Sequence, residues 1–161
     1  MSEATPTLNS DQAPDEVRWY FQAMEYFALI LNRTYTVMVT DRMLCGAYVH
    51  GPLPSPPLPT RDWHDPEFYV GQQVHRYEGL HVESPEFRRR HWFNFQYQLR
   101  EIASAEFDPR PKWGMGNVPY SGRIHVCGRS GWRREFILVG QQAGAPLAYR
   151  LTIAIGQAHA V

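Results

Sequence analysis

Between residues 93 and 100 the chain alternates without a break. Phe93, Phe95, Tyr97 and Leu99 take one side, and Asn94, Gln96, Gln98 and Arg100 take the other. A period of two marks a β-strand with one face on a core and the other in water. Such a strand needs partners, and the flanking sequence supplies them. Thr34–Thr40 is rich in β-branched and aromatic residues, Asp41-Arg42 makes a tight break, and Met43–Val49 returns, which predicts a β-hairpin. Ala103–Asp108 predicts a further strand, and Gly122–Cys127 with Trp132–Val139 predicts a second hairpin closed by Gly128–Gly131. Gly46, inside a strand, predicts a bulge or a close approach of another backbone.

Helical spacing occurs near both ends. Pro14, Asp15 and Glu16 form a helix start, and Val17, Tyr20, Phe21, Met24, Phe27, Ala28 and Leu31 follow at intervals of three and four, predicting a helix over 14–31. Leu147, Leu151, Ala154 and Ile155 predict a closing helix over Ala143–Gly156. Residues 1–12 are polar and unpatterned and are expected to form a disordered tail. Five prolines between Pro52 and Pro59 predict an extended arm or loop. Asp65-Pro66-Glu67 opens a short helix to Tyr77, Leu80–Glu83 is read as a short strand, and Ser84-Pro85-Glu86 begins a single turn. The expectation is one α+β domain over 13–161, with a proline-rich and helical insertion at about 50–90. Its centre is a strongly bent antiparallel sheet or small barrel, with an extra N-terminal helix and a C-terminal capping helix. Strands and helices do not alternate, which argues against a parallel, Rossmann-type sheet.

From Thr34 onward this order resembles the bacterial pleckstrin-homology-like (PH-like) domain. The likeness lies in the Thr34–Val49 hairpin with Thr40-Asp41-Arg42 at its tip, in Phe95–Ile102, in Ser121–Val126, in Arg134–Leu138 and in the closing helix. It implies two bent antiparallel sheets packed together with the last helix plugging one end, and a binding or assembly module more than an enzyme. The 14–31 helix and the 50–90 segment have no counterpart in the minimal fold. Phosphoinositide-binding relatives use basic residues around the first hairpin loop. Here that loop offers only Asp41 and Arg42, so no headgroup site is carried over.

No apolar run reaches the roughly 20 residues that span a bilayer. Glu3, with no basic residue before an apolar stretch, speaks against a signal peptide, and a cytoplasmic location is expected. The zero net charge hides an asymmetry: residues 1–86 hold 12 acids and 5 bases, residues 87–161 hold 4 acids and 11 bases. Such halves attract one another within the fold or between copies, so a protein partner, a second copy of the chain included, is expected. A neutral chain argues against nucleic acid, despite the basic–aromatic runs Arg88-Arg89-Arg90-His91-Trp92 and Trp132-Arg133-Arg134.

The residues show no catalytic constellation. The seven histidines lack the H-x-x-x-H spacing of a helical metal site, and His64 with His75 lacks a recognisable third ligand. No nucleophile elbow is present, and Cys45 with His125 requires neighbouring strands. Gly114-Met-Gly116 matches neither a P-loop nor a dinucleotide loop, so no cofactor is expected. The candidates are binding residues. Arg110, Lys112, Trp113, Tyr120 and Arg123 around the 110–123 loop could take a small anionic or aromatic ligand, or a partner protein. Arg88, Arg89, Arg90, Arg133 and Arg134 supply two further basic patches.

Overall fold

The computed structural model describes residues 17–27, 31–54, 77–114 and 119–160. The expected tail over 1–12, the helix start at 14–16, and most of the proline-rich arm and Asp65–Tyr77 helix lie outside the described residues. Seven strands form one antiparallel sheet: β1 (Trp19–Phe27), β2 (Leu31–Val39), β3 (Met43–Pro54), β4 (Phe95–Gln98), β5 (Ile102–Asp108), β6 (Tyr120–Gly128) and β7 (Arg133–Val139). Their order is β4-β3-β2-β1-β7-β6-β5. The strands at the two edges, β4 and β5, are joined by a single 3₁₀ turn, Leu99–Glu101. So short a link holds the edges together only if the sheet curls, and the result is a half-barrel. Helix α1 (Pro85–Arg90) lies before β4, and α2 (Gly144–Ala160) closes the chain against β5 and the 3₁₀ turn.

The main core fills the concave side. Phe21 and Ala23 of β1, Tyr35, Val37 and Val39 of β2, Phe136 and Leu138 of β7 and Leu151 and Ile155 of α2 are buried there together. A smaller group on the convex side, Met38, Cys45 and Ala47, is covered by Tyr77, Val82 and Phe87. Asn94 fixes that cover. Its Oδ1 accepts from the Tyr48 amide (2.9 Å) and the Tyr77 hydroxyl (2.8 Å), and its Nδ2 donates to the Phe87 carbonyl (2.8 Å). A buried polar side chain is tolerated because its hydrogen-bonding groups are satisfied.

The expected helix over 14–31 is corrected: residues 19–27 form β1. This strand lies between β2 and β7, and Phe21, Gln22, Ala23, Met24 and Glu25 are all buried. Phe21 and Ala23 enter the main core while Met24 joins Val49, Ile137 and Val139 on the opposite face. A strand covered on both faces loses its alternation, and its apolar residues then match helical spacing by chance. Leu80–Glu83 is likewise turn rather than strand. Gly46 marks neither a bulge nor a neighbouring backbone: β2 and β3 stay in register there, and the Phe95 side chain occupies the space where a Cβ would stand.

Both predicted hairpins form. At the first, the Asp41-Arg42 loop lacks Asn-Gly chemistry, and Thr40 compensates. Its Oγ1 accepts from the amides of Met43 (2.8 Å) and Arg42 (3.1 Å) and donates to Glu83 Oε1 (2.5 Å).

Candidate functional site

The side chains of β1, β2 and β7 that face the curl are apolar over most of its length and turn charged at one end. Continuing inward-facing positions of β1 beyond Phe21 and Ala23 leads to Glu25. Those of β7 lead from Leu138 and Phe136 to Arg134, and β2 contributes Arg33 beyond Tyr35. Glu25 is only 6% exposed. Arg134 grips it with both arms of the guanidinium, Nε to Oε1 at 2.7 Å and Nη2 to Oε2. Arg33 Nη2 reaches the same carboxylate at 3.9 Å. One buried anion therefore serves two guanidinium cations.

Aromatic rings hold both cations in place. The Arg134 guanidinium carbon lies 3.7 Å from the centre of the Phe95 ring, and that of Arg33 lies 4.6 Å from Phe93. Tyr35 is fully buried below them, 5.8 Å from Arg33 and 5.5 Å from Arg134. Burial, followed by the Glu25 charge, pushes the Tyr35 phenol up to about 12, so it stays neutral and protonated. Burial is the largest single influence on Arg134 and opposes its charge, but the hydrogen bonds and charge of Glu25, with smaller contributions from Tyr97 and Tyr35, together raise its pKa above the ordinary arginine value.

Glu25, Arg33, Arg134, Phe93 and Phe95 form the floor of an open cleft of about 600 Å³, with Tyr35 beneath it. Arg88, Trp92, Lys112, Arg133 and Glu135 complete its charged and aromatic lining, with Tyr26, Tyr97 and the rings already named. Helix α2 closes the other end of β1 and β2: its Arg150, Ile153 and Gln157 lie near Arg18, Trp19, Thr40 and Asp41.

Four of the ten expected binding residues, Arg88, Lys112, Arg133 and Arg134, meet in this cleft although sequence separates them by up to 46 positions. Arg88 is exposed and its Nη1 donates to the Trp92 carbonyl (3.3 Å). Lys112 Nζ pairs with Glu135 Oε1 at 2.5 Å and stands 5.2 Å from the Tyr26 ring. Arg133 is exposed, with no acidic partner among the described residues.

The other six are placed elsewhere. Arg89 pairs with Glu86 at 2.7 Å, and Arg90 is exposed on α1. Arg110 chelates Asp108 through Nε and Nη2, both at 2.9 Å. Arg123 bridges Asp108 (2.5 Å) and Glu135 (3.0 Å). Hydrogen bonds from Arg110, foremost among several causes, hold the Asp108 carboxyl well below the usual carboxylate range. Tyr120 accepts from the Lys112 amide at 3.2 Å, and Trp113 is 91% exposed, its carbonyl accepting from Tyr26 of the cleft wall (3.1 Å). Among its described residues, the 110–123 loop thus contributes Lys112 to the cleft and no other side chain.

Cys45 and His125 do not meet. They lie on β3 and β6, with β2, β1 and β7 between, and Cys45 is packed in the convex-side group. His64, His75 and Gly116 lie outside the described residues. The sequence reading missed Glu25 because a helix over 14–31 places it off the apolar face, and Arg33 because it falls between that helix and the strand read from Thr34. The available signal was an acid two residues beyond Ala23 in an otherwise aromatic and apolar run. No helix among the described residues is long and apolar enough to cross a membrane. No protein-family model, curated protein or solved structure matches this chain at a significant level.

Proposed function

We propose that this chain is a non-catalytic, cytoplasmic binding module of PH-like architecture whose cleft takes an anionic ligand. The carrying observation is charge imbalance in a concave site: among the described residues, Arg88, Lys112, Arg133 and Arg134 line the cleft against two carboxylates, Glu25 and Glu135. A volume of about 600 Å³ with aromatic walls falls in the size range of small-molecule sites. The PH-like part of the reading is supported by the curled seven-strand order and by a terminal helix at the end of the curl away from the cleft.

Calorimetric titration of the full chain with inorganic phosphate and with succinate tests the proposal. Binding is expected at low salt and weakens by about 0.5 M salt, where exposed charges are screened. Arg133→Gln and Arg88→Gln should each weaken it about tenfold, the loss of one charge-assisted contact, without moving the thermal midpoint. Binding of neither anion, or binding indifferent to both substitutions, overturns the proposal.

A second reading, protein partners including copies of this chain, has its own support on the outer face of α2. Tyr149 (66% exposed) and Ile153 (42% exposed) stand one turn apart there. Light scattering should then give a mass above 18.7 kDa that returns to 18.7 kDa in Tyr149→Ser. A monomer at every concentration and salt removes self-association.

A further inference from the structure

The cleft's chemistry narrows the ligand further, on the reading that an anion binds there. Two features stand at its mouth. The first is Trp92, 73% exposed, with its indole stacked on Phe93 at 4.1 Å and 22°. One face of the indole is covered by Phe93, and Trp92 lines the cleft with most of its surface exposed. An indole fixed by stacking on one side offers a planar group a ready surface on the other, with little ordering left to do.

The second feature is the origin of the rim cations. Arg88 comes from α1, Lys112 from the β5–β6 connection and Arg133 from the start of β7. A planar carboxylate matches one guanidinium fork, whereas a phosphate's terminal oxygens point in several directions and accept from donors converging from separate elements. Among the described residues, the excess of Arg88, Lys112, Arg133 and Arg134 over Glu25 and Glu135 also suits a dianion better than a monoanion. Arg88 Nη1 is tied to the Trp92 carbonyl at 3.3 Å, so the stacking surface and one rim cation belong to the same corner.

We infer that the cleft binds an aromatic phosphomonoester, with its ring on the face of Trp92 opposite Phe93 and its phosphate among Arg88, Lys112 and Arg133. No bond is made or broken; the ligand is held.

Titration of the full chain with phenyl phosphate, adenosine monophosphate, inorganic phosphate and benzoate, followed by heat and by tryptophan fluorescence, tests this. Phenyl phosphate or the nucleotide should bind at least tenfold more tightly than inorganic phosphate and quench fluorescence. Preference between those two tells a nucleotide source from a phosphorylated phenol. Trp92→Leu should remove the tenfold advantage and the quench, whereas Arg133→Gln should weaken phenyl phosphate and inorganic phosphate by the same factor. Since Trp92 is largely exposed, the variant should fold, and its circular dichroism and thermal midpoint check that it does. Equal binding of inorganic phosphate and the aromatic phosphates overturns the ring assignment and leaves anion binding standing. Benzoate binding as tightly as phenyl phosphate overturns the phosphate assignment. Failure of every anion removes both this inference and the function it rests on.

Discussion

Glu25→Gln is expected to destabilise the fold by about 3–5 kcal/mol, the range for removing one partner of a buried ion pair. Glu25 and Arg134 side chains are only 8% and 11% exposed, and Arg33 shares the same carboxylate. A glutamine of nearly the same shape removes the carboxylate that Arg134 grips with two hydrogen bonds, and it leaves that guanidinium charged in a place that water reaches poorly. The cation–π contacts of Arg134 with Phe95 and of Arg33 with Phe93 offset part of the cost and do not replace the lost charge. Urea unfolding of wild type and variant checks the value. A loss under 1 kcal/mol means that both arginines are solvated through the cleft and that the ion pair is incidental. The substitution carries a second expectation with opposite sign. Neutralising the floor carboxylate makes the cleft more cationic, so a variant that remains folded should bind inorganic phosphate more tightly than wild type. Stability and affinity moving in opposite directions is a signature that general damage to the fold does not produce.

Gly46→Ala should cost about 3 kcal/mol, the upper part of the range for overpacking a core. A Cβ at this position would lie 1.9 Å from Phe95 Cε1 and 2.3 Å from Cζ. The ring has little room to retreat, because Phe95 is 5% exposed and sits edge-on to Tyr35 and stacked on Phe136 and under Arg134. Gly46 and Phe95 are direct partners between β3 and β4, so the pair works as a unit: no side chain on one strand, and a ring lying across the gap from the other. Combining Gly46→Ala with Phe95→Leu should cost less than the two single losses together, since the smaller side chain vacates the contested space. Denaturant titration of the single and double variants decides this. Additive losses would mean that the strain is relieved elsewhere. Because Phe95 supports Arg134, Gly46→Ala should also weaken anion binding from a position with no contact to the ligand.

Local rules sufficed where each element met water on one side. The Thr34–Val49 hairpin, the Ser84 capped turn, β5 to β7 and the closing helix all form where turn residues and periodicity place them, and α2 continues to Ala160. Reading failed at β1, whose two faces are each buried in a different side-chain cluster, and at Gly46, whose meaning depends on a side chain 49 positions away. The binding residues divide in the same way. The Arg88–Trp92 and Trp132–Arg134 runs stand out by composition, whereas Glu25 and Arg33 become site residues only through strand pairing.

The sequence by itself determined the class of this protein: a bent antiparallel sheet with a closing helix, because hydrophobic period and turn chemistry are properties of short segments. Tertiary structure alone decided which charges matter. Arg110 and Arg123, equal to Arg133 in any composition count, are occupied by Asp108 and Glu135. Arg88, Lys112, Arg133 and Arg134 come together because the sheet's curl brings α1, the β5–β6 connection and β7 to one opening. Electrostatic interaction depends on distance and burial, and a linear chain specifies neither until its strands have paired.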